Sequence, residues 1–193
     1  LVSDASHELR TPISVIKGYT DMLDRWGKED PDVLEESLIA IKNETDQMKS
    51  MIEKLLFLAR GDRKTQYIEK EKFALNELIN EIYKETLLIA PTRKVMLEEN
   101  EAIEIEADRN LIKEAIRVFI ENSLKYTNEE GLIAISLENK HPYAVITIKD
   151  TGQGILKKDL SRIFDRFYRT DESRNKNSGG AGLGLSIAKW IVD

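Results

Sequence analysis

Between residues 34 and 59, apolar side chains recur at alternating steps of four and three. Leu34, Leu38, Ile41, Met48, Ile52, Leu55 and Ala59 keep the rhythm, and Thr45 is its one break. That is the heptad of a helix burying a narrow stripe against other helices. Leu9, Ile13, Ile16, Thr20 and Leu23 follow the same rule. Residues 1–62 therefore read as two long antiparallel helices, with a turn over residues 26–31 marked by Gly27 and Pro31. A lone pair of helices buries too little apolar surface to stand in water. Met51, Phe57 and Leu58 lie off the seam and need cover too. Two solutions are open. A second copy makes a dimeric four-helix bundle, or the hairpin packs on the rest of its own chain.

Residues 63–72 are polar and charged and read as a linker. The pattern then changes over residues 73–193. Helices are expected over 76–90, ending before Pro91, and over 109–126, with Asp108 as N-cap. Strands are expected near 95–98, 103–106, 132–138 and 144–149, the last two joined around His141 and Pro142. A short helix is expected near Phe164 and a final one from Gly182. Strands mixed with helices, adjacent strands forming hairpins, give an α/β sandwich with a mixed, mostly antiparallel sheet. The fold class is thus α + α/β.

Apolar residues make up 41% and charged residues 33% of the 193 positions, so the chain is globular rather than disordered. A net charge of −6 argues against a nucleic-acid partner. There is no cysteine, which excludes disulfides and thiolate metal sites. No apolar run is long enough to span a bilayer. With apparent helix at both ends, the chain reads as a piece of a longer one.

One of the two histidines stands in the stretch SHELRTP. On a helical wheel His7, Thr11, Ser14 and Gly18 share a stripe of polar or small residues off the Leu9–Ile13–Ile16 seam. His7 is therefore expected at the surface. A zinc-protease helix would place a second histidine where Thr11 stands. Glu8, beside the imidazole, can fix its tautomer and make the other ring nitrogen more nucleophilic. Pro12 removes a helical hydrogen bond and is expected to kink the helix. The plain alternative is a solvated His–Glu pair at a helix start. His141 has no motif around it and reads as a turn residue.

DASHELRTP, residues 4–12, closely resembles the H-box of sensor histidine kinases. The resemblance implies that His7 is phosphorylated on a ring nitrogen. It implies that Glu8 orients and deprotonates it, and that Thr11 helps place water during dephosphorylation of a partner. Three further stretches extend the resemblance. In IENSLKYT, residues 120–127, Asn122 can offer an amide oxygen to Mg²⁺, Lys125 can reach phosphate and Tyr126 can pack on a base. It resembles the family's N-box. Val118 stands where the family usually carries another asparagine and gyrase-type ATPases carry a catalytic glutamate. That leaves the metal shell one polar group short and spares ATP from hydrolysis. In DTGQGI, residues 150–155, Asp150 continues the inward parity of Ala144, Ile146 and Ile148, so it is expected on the buried face, where an adenine amino group would satisfy it. Gly152 and Gly154 allow close backbone approach. This matches the G1 box. In GAGLGL, residues 180–185, glycines open a helix whose N–H groups suit phosphate. It resembles the G2 box and implies nucleotide contacts at Gly182, Leu183 and Gly184. IFDRFYR, residues 163–169, resembles the F-box. Residues 170–179 then look like a lid, with Arg169 and Lys176 as phosphate contacts.

The resemblance covers essentially the whole chain. It implies a Mg²⁺- and ATP-dependent protein-histidine kinase, a homodimer that passes phosphoryl groups from His7 to a response-regulator receiver domain and also dephosphorylates it. It implies the cytoplasmic portion of a membrane-anchored bacterial sensor, its membrane segments lying outside this chain. The rival readings are a silent dimeric scaffold presenting His7, a gyrase-like ATPase and a regulator phosphatase without kinase activity. ATP binding separates the first from the kinase, and Val118 and the H-box disfavour the second.

Overall fold

The computed structural model of the chain describes residues 2–27, 29–170 and 180–193. Lys176 and nearly all of the expected lid, residues 171–179, lie outside the described residues. Helix α1 spans Val2–Trp26 and α2 spans Pro31–Asp62. Pro31 starts α2 where its missing N–H costs nothing. Asp30 caps the helix, accepting from the N–H groups of Asp32 and Val33. α1 runs through Pro12 without a break in its helical assignment.

The remaining elements are β1 (Glu71–Ala74), α3 (Leu75–Ile89), β2 (Lys94–Asn100), β3 (Glu104–Ala107), α4 (Arg109–Tyr126), β4 (Leu132–Lys140), β5 (Tyr143–Asp150) and α5 (Gly184–Val192). Asp108 caps α4 as expected. Its Oδ1 accepts from Asn110 and Leu111, while Oδ2 accepts from the Glu69 N–H and ties down the stretch before β1.

β4 and β5 form the expected hairpin across His141 and Pro142. β2 pairs with β4 in parallel, so the sheet runs β2–β4–β5. β2 and β3 do not pair with each other. β3 instead meets β1, a strand that lies partly inside the expected linker, as an antiparallel pair. Across the two sheets two of the three pairings are antiparallel, so the strand pairing of the domain is mixed and mostly antiparallel. Two helices cover the β2–β4–β5 sheet. Leu75, Leu78, Ile79 and Ile82 of α3 and Ile116 and Ile120 of α4 pack on Val95, Ile133, Ile135 and Leu137. The short helix expected near Phe164 is absent. Residues 156–167 make successive turns, and Phe167 closes them in a left-handed conformation at φ 64°.

The off-seam residues of α2 find their cover in the same chain. Met51 and Leu58 pack on Leu183 and Ile187, with Phe167, Ala5 and Leu9 around them. Leu58 and Leu183 are each 1% exposed, a burial worth about 1.5–3 kcal/mol per side chain. Trp190 of α5 meets Phe57 edge-on at 5.0 Å. Gly61 is required beneath that indole, because a Cβ there would lie 2.5 Å from its Nε1. Arg166 adds a two-pronged ion pair to Asp62, at 2.7 and 2.6 Å. Further along the hairpin Ile13, Leu34, Leu38 and Ile52 stay exposed. No described helix is long and apolar enough to cross a membrane.

Candidate functional site

His7, Thr11, Ser14 and Gly18 are all exposed along one side of α1, as the wheel requires. His7, Arg10, Thr11, Ser14 and Val15 line a shallow open groove. Glu8 is half-buried. Among the described residues no hydrogen bond or ion pair joins it to His7. Ala5 and Leu9, which face α5, lie two positions either side of His7, so His7 points away from the docked α/β domain.

The second group of residues gathers where α4 ends, β5 ends and α5 begins. Asn122 is half-buried, and its carboxamide has no hydrogen-bond partner among the described residues. Val118, one turn earlier, is buried with Ala115 and Ala188. Its Cγ1 lies 3.2 Å from where a Cβ on Gly184 would stand. Glycine at 184 thus lets α5 close onto an apolar side chain, which contributes no oxygen. Lys125 sits over the Tyr126 ring, 5.1 Å from its centroid. Its Nζ is 3.4 Å from the Cβ position of Gly180, so the lysine reaches the glycine-rich turn.

Asp150 is exposed rather than on the buried face. It is the last residue of β5, one step beyond the core-facing Ile146 and Ile148. Its carboxylate is nonetheless fixed. The Ser123 hydroxyl donates to Oδ2 at 2.9 Å, and the Gly152 N–H donates to Oδ1 at 2.9 Å. Gly152 is forced by crowding, since a Cβ would lie 2.6 Å from the Tyr126 carbonyl oxygen. Gly154 is different: it has φ 72° and open space where its Cβ would be.

Gly182 adopts φ 68°, and its carbonyl accepts from the Phe167 N–H at 2.9 Å. The two ends of residues 168–181 are therefore pinned together. The Leu183 side chain points into the contact with Met51 and Leu58, so only its backbone remains for a ligand. Arg169 is half-buried and engaged within the chain. Ser123 and Arg93 escaped the sequence reading. Arg93 donates to the carbonyls of Thr127 at 2.7 Å and Leu124 at 3.4 Å, holding the C-terminal end of α4.

The cradle suits a nucleotide. The buried Thr127 hydroxyl has no partner among the described residues, the exposed Asp150 carboxylate is held at both oxygens, and Gly154 has open space where a Cβ would stand. It also suits Mg²⁺, because that ion needs only one or two protein oxygens beside phosphates and water. Asn122 can supply one. The described residues hold no cluster of three His, Cys, Asp or Glu side chains that would trap a metal alone.

Residues 1–64 match the model of the His Kinase A (phospho-acceptor) domain. Residues 107–193 match that of the histidine kinase-, DNA gyrase B- and HSP90-like ATPases. The signal transduction histidine-protein kinase ArlS of Staphylococcus epidermidis is 40% identical over 193 residues, covering 99% of this chain and 42% of that protein. The chain thus spans less than half the length of the curated relatives it matches. The catalytic domain of histidine kinase ThkA is 32% identical, with a TM-score of 0.56 over 64% of this chain and 80% of that one. ThkA solved in complex with the response regulator protein TrrA gives a TM-score of 0.71 at 27% identity, over 88% of this chain and 50% of that one. A phosphoacceptor helix pair and an ATPase-type domain, matched in this order by these relatives, place the chain in the sensor histidine kinase family.

Proposed function

We propose that this chain is the catalytic core of a protein-histidine kinase that phosphorylates His7 from ATP and hands the phosphoryl group to an aspartate of a response regulator. The observation that carries the reading is one chain holding both an exposed histidine on a helical stripe and a nucleotide cradle at Asn122, Asp150 and Gly182. A ring nitrogen of His7 forms a bond to the γ-phosphorus of ATP, the bond to the β,γ-bridging oxygen breaks, and ADP leaves with the electron pair. Glu8 orients the imidazole and takes up its ring proton. Asp150 accepts from the base, Tyr126 packs on it, and Lys125 and Arg169 face the phosphates together with backbone N–H groups at Gly182, Leu183 and Gly184. Asn122 would hold Mg²⁺ through its amide oxygen, and the ion would supply charge neutralisation at the phosphates. Valine at 118 offers no carboxylate from that position to activate water, which favours transfer to His7 over hydrolysis. Thr11 places water for the reverse task, dephosphorylation of the regulator.

His7 faces away from the docked domain. The domain of residues 73–193 must therefore leave its seat and swing on residues 63–72 before transfer. A second copy of the chain covers the exposed seam residues in a four-helix bundle. In the full-length protein this core lies on the cytoplasmic side of a membrane-anchored sensor. Support for the regulator as partner comes from the ThkA–TrrA complex. The test is a chase. Protein labelled from γ-labelled ATP is freed of nucleotide and mixed with a receiver domain. The label is expected to move to the receiver aspartate. Label that stays put while the receiver accepts phosphate from a small-molecule donor would refute transfer.

A further inference from the structure

The Asp150 carboxylate is held at both oxygens before any ligand arrives. The Ser123 donor is itself 4% exposed, so its hydroxyl has no water to turn to. It sits on α4 directly after Asn122, and the helix end around it is braced. Arg93 holds the Leu124 and Thr127 carbonyls, and the Gln153 N–H donates to the Tyr126 carbonyl at 3.4 Å. Helix end and strand end are tied together on both sides of Asp150. Each carboxylate oxygen keeps a lone pair, Asp150 is exposed, and Gly154, four positions on, leaves open space where a Cβ would stand. An acceptor-only edge of fixed orientation pairs with an exocyclic amino group and opposes a carbonyl oxygen. Adenine carries an amino group at its 6-position, whereas hypoxanthine and guanine carry an oxygen there.

We infer that Ser123 is a positioning residue for base selection, fixing Asp150 so that the site takes 6-aminopurine nucleotides over 6-oxopurine ones. The inference rests on Asp150 being the base contact proposed above. Ser123 itself touches no reacting atom. Without its hydroxyl the carboxylate keeps one donor and gains a rotamer, and a partner lost in this way is felt only by a ligand that uses the carboxylate.

The experiment compares the native chain with Ser123→Ala, Ser123→Thr and Asp150→Asn. Each displaces a fluorescent ADP analogue with ATP or with inosine triphosphate, and circular dichroism checks the fold. In Ser123→Ala the ATP affinity is expected to fall about 3- to 10-fold. Inosine triphosphate affinity is expected to hold within about twofold, since the lost bond never served it. Ser123→Thr is expected to restore the preference. Ser123→Cys, near in size with a weak donor, replaces the alanine variant if that one fails to fold. An unchanged ATP affinity, or equal losses for both nucleotides, overturns the role of Ser123 and leaves nucleotide binding intact. A native chain that binds both equally, or an Asp150→Asn variant that binds ATP as the native does, overturns the base contact itself.

Discussion

Arg93 lies 34 positions before Thr127 in sequence yet supplies the guanidinium that closes α4. Its two bonds go to carbonyls at the negative end of a helix, where a cation is favoured on charge as well as geometry. Replacing it with alanine leaves the part-buried Thr127 and Leu124 carbonyls without their donor, a loss of about 1–3 kcal/mol in unfolding free energy. Because Lys125, Tyr126 and Thr127 hang on that turn, Arg93→Ala is also expected to weaken ATP binding, which displacement titration reads directly. The motif residues Asn122, Asp150, Gly152 and Gly182 were legible because each lies within a short run of characteristic neighbours. Arg93 was not, since nothing near it in sequence announces a partner so far along the chain. Ser123 sat inside a recognised stretch and was passed over. Its role depends on Asp150, which is 27 positions away.

At the scale of elements, α3 and α4 are laced along their exposed sides by Arg109, Lys113 and Arg117 of one helix and Glu81 and Glu85 of the other. Hydrogen bonds from Lys113 and then Arg109 lower the Glu81 carboxyl from 4.5 to about 2. A carboxyl lowered by folding stabilises the fold above its unfolded value. Its contribution is fully present above pH 4.5 and is lost as the pH falls towards about 2. Denaturant midpoints should therefore drop across that window, and the drop should shrink in Glu81→Gln. At neutral pH the same variant should cost about 1 kcal/mol or less, because these pairs are partly solvent-exposed. The contact between the end of α2 and the turns before α5 is different in kind. Asp62, its carboxyl lowered by the bonds from Arg166, ties the end of the hairpin to the α/β domain, which on the proposed reading must undock before it meets His7. Asp62→Ala is expected to speed autophosphorylation by a few-fold and to speed proteolysis at residues 63–70. An unchanged rate would show that undocking does not limit transfer. Helix periods and the β4–β5 alternation made most elements legible. β1 was missed because Glu-Lys-Phe-Ala is four residues long with half its side chains charged. The parallel β2–β4 pairing was missed because register between distant strands leaves no local mark.

For the whole molecule, one of the two covers weighed for the hairpin is seen in the chain itself, and the other is the second copy proposed above. The base of α2 rests on its own chain through Leu58, Phe57 and Trp190, a partner that no helical pattern in residues 1–62 could name. Farther along, Leu38 at 54% and Ile52 at 44% exposure keep the heptad face uncovered, and the second copy proposed above would cover it. Leu38→Glu with Ile52→Glu is expected to turn a dimer into a monomer in sedimentation while leaving ATP binding unchanged. A monomeric native chain would contradict the bundle. On the proposed reading the cradle at Asn122 and the imidazole of His7 are two halves of one reaction. Its most direct test incubates native protein, His7→Gln and Asn122→Ala with γ-labelled ATP and Mg²⁺, then treats each with acid. Acid-labile label is expected on the native chain, none on His7→Gln and little on Asn122→Ala. Label persisting in His7→Gln, or a native chain that binds ATP and takes no label, would contradict it.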